Sequence, residues 1–358
     1  MGLSSMERPY VGVRRELASR VLRVLKELGL LDRSCRPIRK EGLVLFPLVR
    51  EPHEDELEVL EEKLGRVEVG TADFRPREKP RRLLDVLSGS LPGELMDLVP
   101  RSFDVVGDVA IIELPEPLWP YRSLVGSAIM AVHKKVRLVL AKGGPVSGEF
   151  RLRELVPIAG SGPTETVHRE HGCIFRLDVA KVYFSPRLSF EHARVASQVR
   201  KGEVILDMFA GVGPFSILAA KRAGVVLAYA VDVNPWAFHY LAQNVVLNKV
   251  RGYVVPVLSD ASEAVRSGLK GLANRVIMNL PEKAHEFLDV ACEALRPEGG
   301  MIHFYTFAGA PEPEQEALRV LEEGVGRAGR SVRQILAVRR VRAIGPFRWQ
   351  VVVDAEVA

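Results

Sequence analysis

Cysteine is scarce in this chain of 358 residues: Cys35, Cys173 and Cys292 stand far apart, with no Cys-x-x-Cys spacing. That excludes a disulfide framework and a zinc ribbon, and it predicts a reducing, cytoplasmic setting. Long apolar runs are missing too. No stretch approaches the roughly 18 residues of a membrane span, and residues 1–15 hold no segment of signal-peptide type, so the chain reads as soluble with no membrane partner. No internal repeat or low-complexity tract is present. Nor is one sign of charge in large excess: the formal net charge is +5, which points to a polyanionic partner only where basic residues cluster. Apolar residues, in contrast, make up 47% of the chain. At this length they supply more than one core, and two or three domains are expected.

Along the chain, Leu17, Val21, Leu22, Leu25 and Leu28 recur at helical spacing before Gly29. A strand at Leu43–Leu48 and a helix at Glu56–Leu64 complete a small α/β module over residues 1–72. Residues 73–82 are basic, Pro-punctuated and without apolar period, which predicts a linker. Residues 83–188 read as a mixed α/β middle domain, with strand-like runs in Ser102–Leu114, Val136–Leu140 and Phe175–Phe184. Lys134, Lys135, Arg137, Lys142, Arg151, Arg153, His168, Arg169, His171 and Arg187 gather there among Tyr121, Phe150, Tyr183 and Phe184. The mixture suits phosphate contact with base stacking, although the solvated loops of an ordinary domain account for this cluster, taken alone, at least as well. From residue 189 to 358, strands and helices alternate regularly. Strands are predicted at Val204–Leu206, Leu227–Val231, Val254–Leu258, Arg275–Asn279 and Met301–Tyr305, and Gln334–Val341 with Trp349–Val357 can form a closing antiparallel pair. The economical reading is a doubly wound, Rossmann-like α/β sheet.

The first crossover of that sheet carries Asp207-Met208-Phe209-Ala210-Gly211-Val212-Gly213-Pro214-Phe215. Gly211 and Gly213 permit a tight turn and close backbone approach, and Pro214 suits the first position of a helix. Three readings fit: an S-adenosylmethionine site, a dinucleotide site, or a plain turn. Four residues separate the strand from its first glycine, and Ser216 stands where the dinucleotide fingerprint has Gly or Ala; both count against a dinucleotide. Asp207, Asp232 and Asp260 end three successive strands. Asp232 is placed to accept from ribose hydroxyls and Asp260 from an adenine amino group, and three such acids favour the S-adenosylmethionine reading over caps or surface charges. Asn279, in Asn279-Leu280-Pro281 after the fourth strand, would face the methyl donor, or cap a helix, or both.

These segments, with Asp178-Val179-Ala180-Lys181-Val182-Tyr183-Phe184-Ser185-Pro186-Arg187-Leu188, Gly148-Glu149-Phe150-Arg151 and Glu165-Thr166-Val167-His168-Arg169-Glu170, resemble the archaeal and eukaryotic tRNA (guanine-37-N1)-methyltransferase family. The resemblance implies a class I methyltransferase domain, a middle domain that grips the anticodon stem-loop, and a small N-terminal module that checks the tRNA body, in a monomer. It implies S-adenosylmethionine as cofactor, held by Asp207, Phe209, Gly211, Gly213, Asp232, Asp260, Asn279 and Arg187. Among catalytic residues, it implies Glu191 as general base, Arg151 (with Arg153 the alternative) beside the guanine carbonyl oxygen, Asn279 orienting the base and Tyr183 next to it. His192 stands where the family more commonly has Arg. Guanine N1 carries a proton, so transfer needs a base there and positive charge near O6, and Glu191 and Arg151 are of the right types. S-adenosylmethionine brings an already activated methyl group, so no metal is needed to make the electrophile. Spacing alone would make Glu191 a surface helix acid paired with Arg194 at i+3; only the motif match reverses that order.

Overall fold

The computed structural model describes residues 6–32, 35–75, 83–88, 90–144, 154–224 and 227–358. The chain divides into two compact units, Met1–Val86 and Leu87–Ala358. The first unit comprises β1 (Met6–Arg14), α1 (Ala18–Glu27), β2 (Ile38–Lys40), β3 (Leu43–Pro47), α2 (Glu54–Leu64) and β4 (Glu68–Phe74). Its antiparallel sheet runs β2-β3-β1-β4. Val21, Val24 and Leu25 of α1 and Leu60 and Leu64 of α2 close on Val11, Val13 and Phe46. Helix α2 starts two residues before the predicted Glu56. The reason is local: the Glu56 carboxylate reaches back to accept from the His53 N–H at 2.9 Å and is gripped by Arg50 at 2.8 Å.

A short helix, α3 (Leu83–Leu87), straddles the division. The second unit continues with β5 (Asp104–Val106), β6 (Val109–Ile112), α4 (Arg122–Val132), β7 (Leu138–Lys142) and β8 (Leu155–Gly160), in the sheet order β5-β6-β7-β8. β6 and β7 are parallel and joined through α4. A hairpin follows, β9 (Glu165–Glu170) with β10 (Cys173–Asp178). The strand predicted over Phe175–Phe184 ends at Asp178, whose carbonyl accepts the Lys181 and Val182 N–H groups and whose Oδ1 accepts that of Ala180. This turn withdraws the next residues from any ladder.

The remainder is α5 (Ser189–Gln198), β11 (Val204–Asp207), α6 (Pro214–Ala223), β12 (Leu227–Asp232), α7 (Pro235–Leu247), β13 (Val254–Leu258), α8 (Ala261–Ala264), β14 (Arg275–Met278), α9 (Leu288–Ala294), β15 (Gly300–Gly309), α10 (Pro313–Arg327), β16 (Val332–Gly345) and β17 (Arg348–Val357). The seven strands order as β13-β12-β11-β14-β15-β17-β16. The first five are parallel and the β16/β17 hairpin joins antiparallel to β15. Neighbouring residues in a strand face opposite sides, so each strand feeds both cores. Ile205, Ile277 and Val352 enter one cluster with Phe175, Phe215 and Tyr240; Leu206, Val276 and Val353 enter the other with Phe304 and Leu321. Each such side chain, once buried, contributes about 1.5–3 kcal/mol. Two buried asparagines, Asn244 of α7 and Asn248 at its C-terminal cap, dock the hairpin on this layer. Asn248 accepts from the Ile174 N–H and Asn244 from that of Arg176, both at 2.8 Å, and their amides donate back to the carbonyls of the same two residues.

Candidate active site

From β11 the chain winds outward one way through β12 and β13, then returns to place β14 on the other side of β11. An open α/β sheet binds its ligand at this reversal, beyond the carboxyl ends of the strands. The ladder sets the three strand-end acids along that rim. Asp207 pairs with Ala230, two residues before Asp232, and Asp232 pairs with Leu258, two residues before Asp260. The loop after Asp207 depends on glycine. Gly213 has φ +88°, and a Cβ there would lie 2.4 Å from Leu241 Cδ1 on α7. Asp232 pins two loops at once: Oδ2 accepts the Gly211 N–H at 2.7 Å and Oδ1 the Asn234 N–H at 2.9 Å. Burial raises its pKa, and those two N–H groups oppose the shift. Phe209 sets its ring edge-on to Phe287, with centroids 5.1 Å apart. Asp260 caps α8, its Oδ1 accepting from the Ser262 and Glu263 N–H groups at 2.8 and 3.3 Å.

Asp207 is fully buried. Its Oδ2 accepts from the Ser216 hydroxyl at 2.6 Å, and its Oδ1 has no hydrogen-bond partner among the described residues. Burial pushes this carboxyl up to about 7; the Ser216 hydroxyl works against the shift and the charge of Asp232 adds to it. A buried carboxyl beneath a glycine turn and next to a second acid gives that turn a negative potential, which suits a ligand that brings positive charge. S-adenosylmethionine carries both an ammonium and a sulfonium. One consequence concerns stability. An acid whose folded pKa exceeds its unfolded value near 3.9 costs the fold progressively more as pH rises from that value, on the order of 4 kcal/mol once pH passes 7. Asp207→Asn is therefore expected to raise the unfolding temperature of the ligand-free protein at pH 8, with the gain shrinking as pH falls towards 4. Thermal scans of both proteins across that range check this; a gain that does not vary with pH would refute it.

On the acceptor side, the first turn of α5 presents Glu191, only 1% exposed. The i+3 pairing with Arg194 is present, but in the interior rather than on a surface helix. Glu191 Oε2 accepts from Arg194 Nε at 2.9 Å and from the Tyr305 hydroxyl at 3.0 Å, and Oε1 accepts from Arg339 Nη1 at 2.9 Å. Burial and the Glu191 charge keep the Tyr305 hydroxyl protonated well above its ordinary range. Behind Arg194 a polar chain crosses the core. Arg194 bonds both oxygens of Asp354, and Asp354 Oδ1 accepts from His303 Nδ1 at 2.7 Å. His303 Nε2 faces Arg275 Nη1 at 2.7 Å, and Arg275 is held in turn by Glu203. Arginine only donates, so Nε2 is the acceptor and Nδ1 carries the proton. Burial by itself would raise Asp354, but His303 and Arg194 outweigh it and hold the carboxyl well below the carboxylate range. His192 is also buried, with Nδ1 2.6 Å from Glu170.

Tyr183 and Asn279 are linked through the closing hairpin. Arg342 of β16 donates to the Tyr183 hydroxyl (3.1 Å), to Ser185 (3.0 Å) and to Gln350 Oε1 (2.8 Å), while the Gln350 amide reaches Asn279 Oδ1 at 3.4 Å. The Tyr183 segment is further tied to the cofactor side by Asn234, which donates to the Lys181 carbonyl at 2.8 Å. Asn279 caps no helix; the next helical turn has Lys283 before it. Arg187, expected beside the cofactor, pairs with Asp104 of β5 at 2.6 Å. Arg151 and Arg153 lie outside the described residues, as do residues 76–82 of the expected linker, whose first two residues, Asp73 and Phe74, are instead the end of β4, paired with Glu7 and Met6. Sequence reasoning passed over Tyr305, Arg339, Arg342, Gln350, His303 and Asp354. A signal was there: His303 stands between Ile302 and Phe304, and Asp354 between Val353 and Ala355, and a polar side chain among such apolar neighbours needs a partner. Among the described residues, no group of three or more His, Cys, Asp or Glu side chains could hold a metal ion, and no helix is long and apolar enough to cross a membrane.

Five parallel strands followed by an antiparallel hairpin, with acids at the ends of the first three strands, define a class I methyltransferase. A family model for the TRM5/TYW2 methyltransferase domain matches residues 166–332, and one for the TYW2 N-terminal domain matches residues 83–164. Trm5b of Pyrococcus abyssi, a tRNA (guanine(37)-N(1))-methyltransferase, is 43% identical over 338 residues, 94% of this chain and 96% of that protein. Its crystal structure superposes with a TM-score of 0.75 at 40% identity, over 98% of this chain and 99% of that one. The protein of a solved aTrm5–tRNALeu complex matches with a TM-score of 0.68 at 32% identity, over 98% and 99% of the two chains. A tRNA(Phe) (4-demethylwyosine(37)-C(7)) aminocarboxypropyltransferase of Methanocaldococcus jannaschii is 34% identical over 71% of this chain and 97% of its own length. The chain belongs to the TRM5/TYW2 methyltransferase family.

Proposed function

We propose that this protein transfers the methyl group of S-adenosylmethionine to N1 of guanine 37 in tRNA. The observation that carries this reading is the length of the match. Trm5b aligns with 94% of the chain, whereas the aminocarboxypropyltransferase, nearly complete in its own alignment, leaves more than a quarter of the chain without a counterpart. That remainder is roughly the size of the N-terminal unit, and both family models begin only at residue 83 or beyond.

In this reading Asp207, Phe209, Gly211, Gly213, Asp232 and Asp260 hold the cofactor, which supplies a methyl group activated on sulfonium. Glu191 accepts the N1 proton, so that the ring nitrogen can use its electron pair as nucleophile. Arg151 balances the charge that builds on O6, Asn279 orients the guanine edge, and Tyr183 lies beside the base. Arg187, paired with Asp104, takes a positioning part between the middle region and the active-site segment. Residues 1–72 check the tRNA body, residues 83–188 grip the anticodon stem-loop, and residues 189–358 carry out transfer, in a cytoplasmic monomer. The burial of Cys35, Cys173 and Cys292, far apart in the sequence, accords with a reducing compartment.

The test is nucleoside analysis of unmodified tRNA incubated with enzyme and labelled cofactor. N1-methylguanosine at position 37 is expected. An aminocarboxypropyl adduct would transfer the protein to the other branch of its family, and no modification by folded protein would indicate a binding relative without catalysis.

A further inference from the structure

We infer that Arg339 is a displaceable clamp on Glu191: it covers the carboxylate oxygen that must receive the guanine proton, and RNA draws it away. The inference rests on Glu191 being the base. Three donors meet the Glu191 carboxylate, and they differ in their freedom to leave. Tyr305 is fully buried. Arg194 has a side chain 12% exposed and is anchored by Asp354, itself held by His303. Both of these occupy Oε2. Oε1 is bonded by Arg339, whose side chain is 37% exposed and rests 5.1 Å over the exposed ring of Phe190. The oxygen that can be vacated is therefore Oε1.

Charge balance gives the exchange its direction. Glu191 and Asp354 face Arg194 and Arg339, two acids against two bases. If Arg339 leaves, one carboxylate is uncompensated in a buried site, and a carboxylate that has lost a neighbouring cation is the better proton acceptor. The guanine N1–H takes the vacated position: the N–H bond breaks as an O–H bond forms on Oε1, and the nitrogen pair bonds the methyl carbon while sulfur keeps the electrons of its broken bond. When product departs, the proton passes to water and Arg339 returns.

What removes the clamp is phosphate. β16 is an edge strand, and arginine prefers the paired oxygens of a phosphodiester. Its neighbours have more to give up, Arg340 holding both oxygens of Glu314 and Arg342 spanning Tyr183, Ser185 and Gln350, against the one bond from Arg339 to Glu191. Arg339 is a positioning residue, acting through Glu191.

The experiment uses the full chain, tRNA and S-adenosylmethionine, with Arg339→Gln and Arg339→Lys. Arg339→Gln should raise KM for tRNA about tenfold while kcat and the single-turnover rate change by less than roughly threefold. Arg339→Lys, which keeps the charge without the fork, should recover most of the lost KM. A single-turnover rate lowered about a hundredfold at unchanged KM would overturn the proposal, because the guanidinium would then remain on Glu191 during transfer. Calorimetric cofactor affinity reports whether each variant is folded, and the lysine variant carries the test if the glutamine variant is not. Glu191→Gln, assayed in parallel, separates the two ideas: if it keeps the single-turnover rate, the base assignment fails whatever Arg339 does.

Discussion

Glu191→Gln is expected to lower the single-turnover rate of methyl transfer by on the order of 10²–10⁴, the range a positioned general base supplies. Glutamine keeps the shape and one acceptor oxygen, which can stay with the buried partners Arg194 and Tyr305. Its amide then turns to Oε1's place, where Arg339 has solvent to move into. The substitution therefore removes proton acceptance with limited disturbance, and cofactor affinity by calorimetry should change little. KM for tRNA should change much less than the rate. A rate within a few fold of the parent, in protein shown to bind cofactor, would mean that Glu191 is a structural acid and that the N1 proton leaves by another route.

Asp354→Ala should have the largest effect on stability. The change takes from Arg194 one of its two buried acids, leaving Glu191 alone to balance it, and takes the acceptor from His303 Nδ1. Removing one partner of a buried ion pair costs about 3–5 kcal/mol, because the charge left behind is desolvated and less fully compensated. For a unit of this size that lowers the unfolding temperature by roughly 10 °C. Transfer should fall as well, since Arg194 is the fixed partner that orients Glu191. The pH dependence follows from the depressed pKa of Asp354. A carboxyl held below its unfolded value stabilises fully above about pH 4 and loses that contribution only as pH falls below it. The gap between parent and variant should accordingly be constant from neutral pH down to about 5 and narrow in stronger acid. A drop of only a degree or two at pH 7 would show that solvent or a local rearrangement satisfies Arg194.

Much of the donor side is open to reading from the chain alone, because it is local. The run Val204-Ile205-Leu206, the glycines at 211 and 213 and Pro214 specify strand, turn and helix within a dozen residues, and the acids at 207, 232 and 260 each end an apolar strand. The acceptor side is different. Glu191 and Arg194 are three residues apart and pair as spacing predicts, yet spacing places them on a surface. Their burial comes from Tyr305, Arg339 and Asp354, more than a hundred residues away, on β15, β16 and β17. Arg187 likewise has a distant partner that spacing does not show, Asp104, 83 residues earlier.

The Asp207–Phe215 loop and the alternating strands were thus determined by sequence, since φ freedom, strand-end position and helix entry are properties of consecutive residues. Tertiary structure alone decided which oxygen of Glu191 meets Arg339, which tautomer His303 adopts, and that Arg342 joins Tyr183 to Asn279 through Gln350. Those depend on the order in which strands lie side by side, and the β16/β17 hairpin, the last segment of the chain, supplies Arg339, Arg342, Gln350 and Asp354.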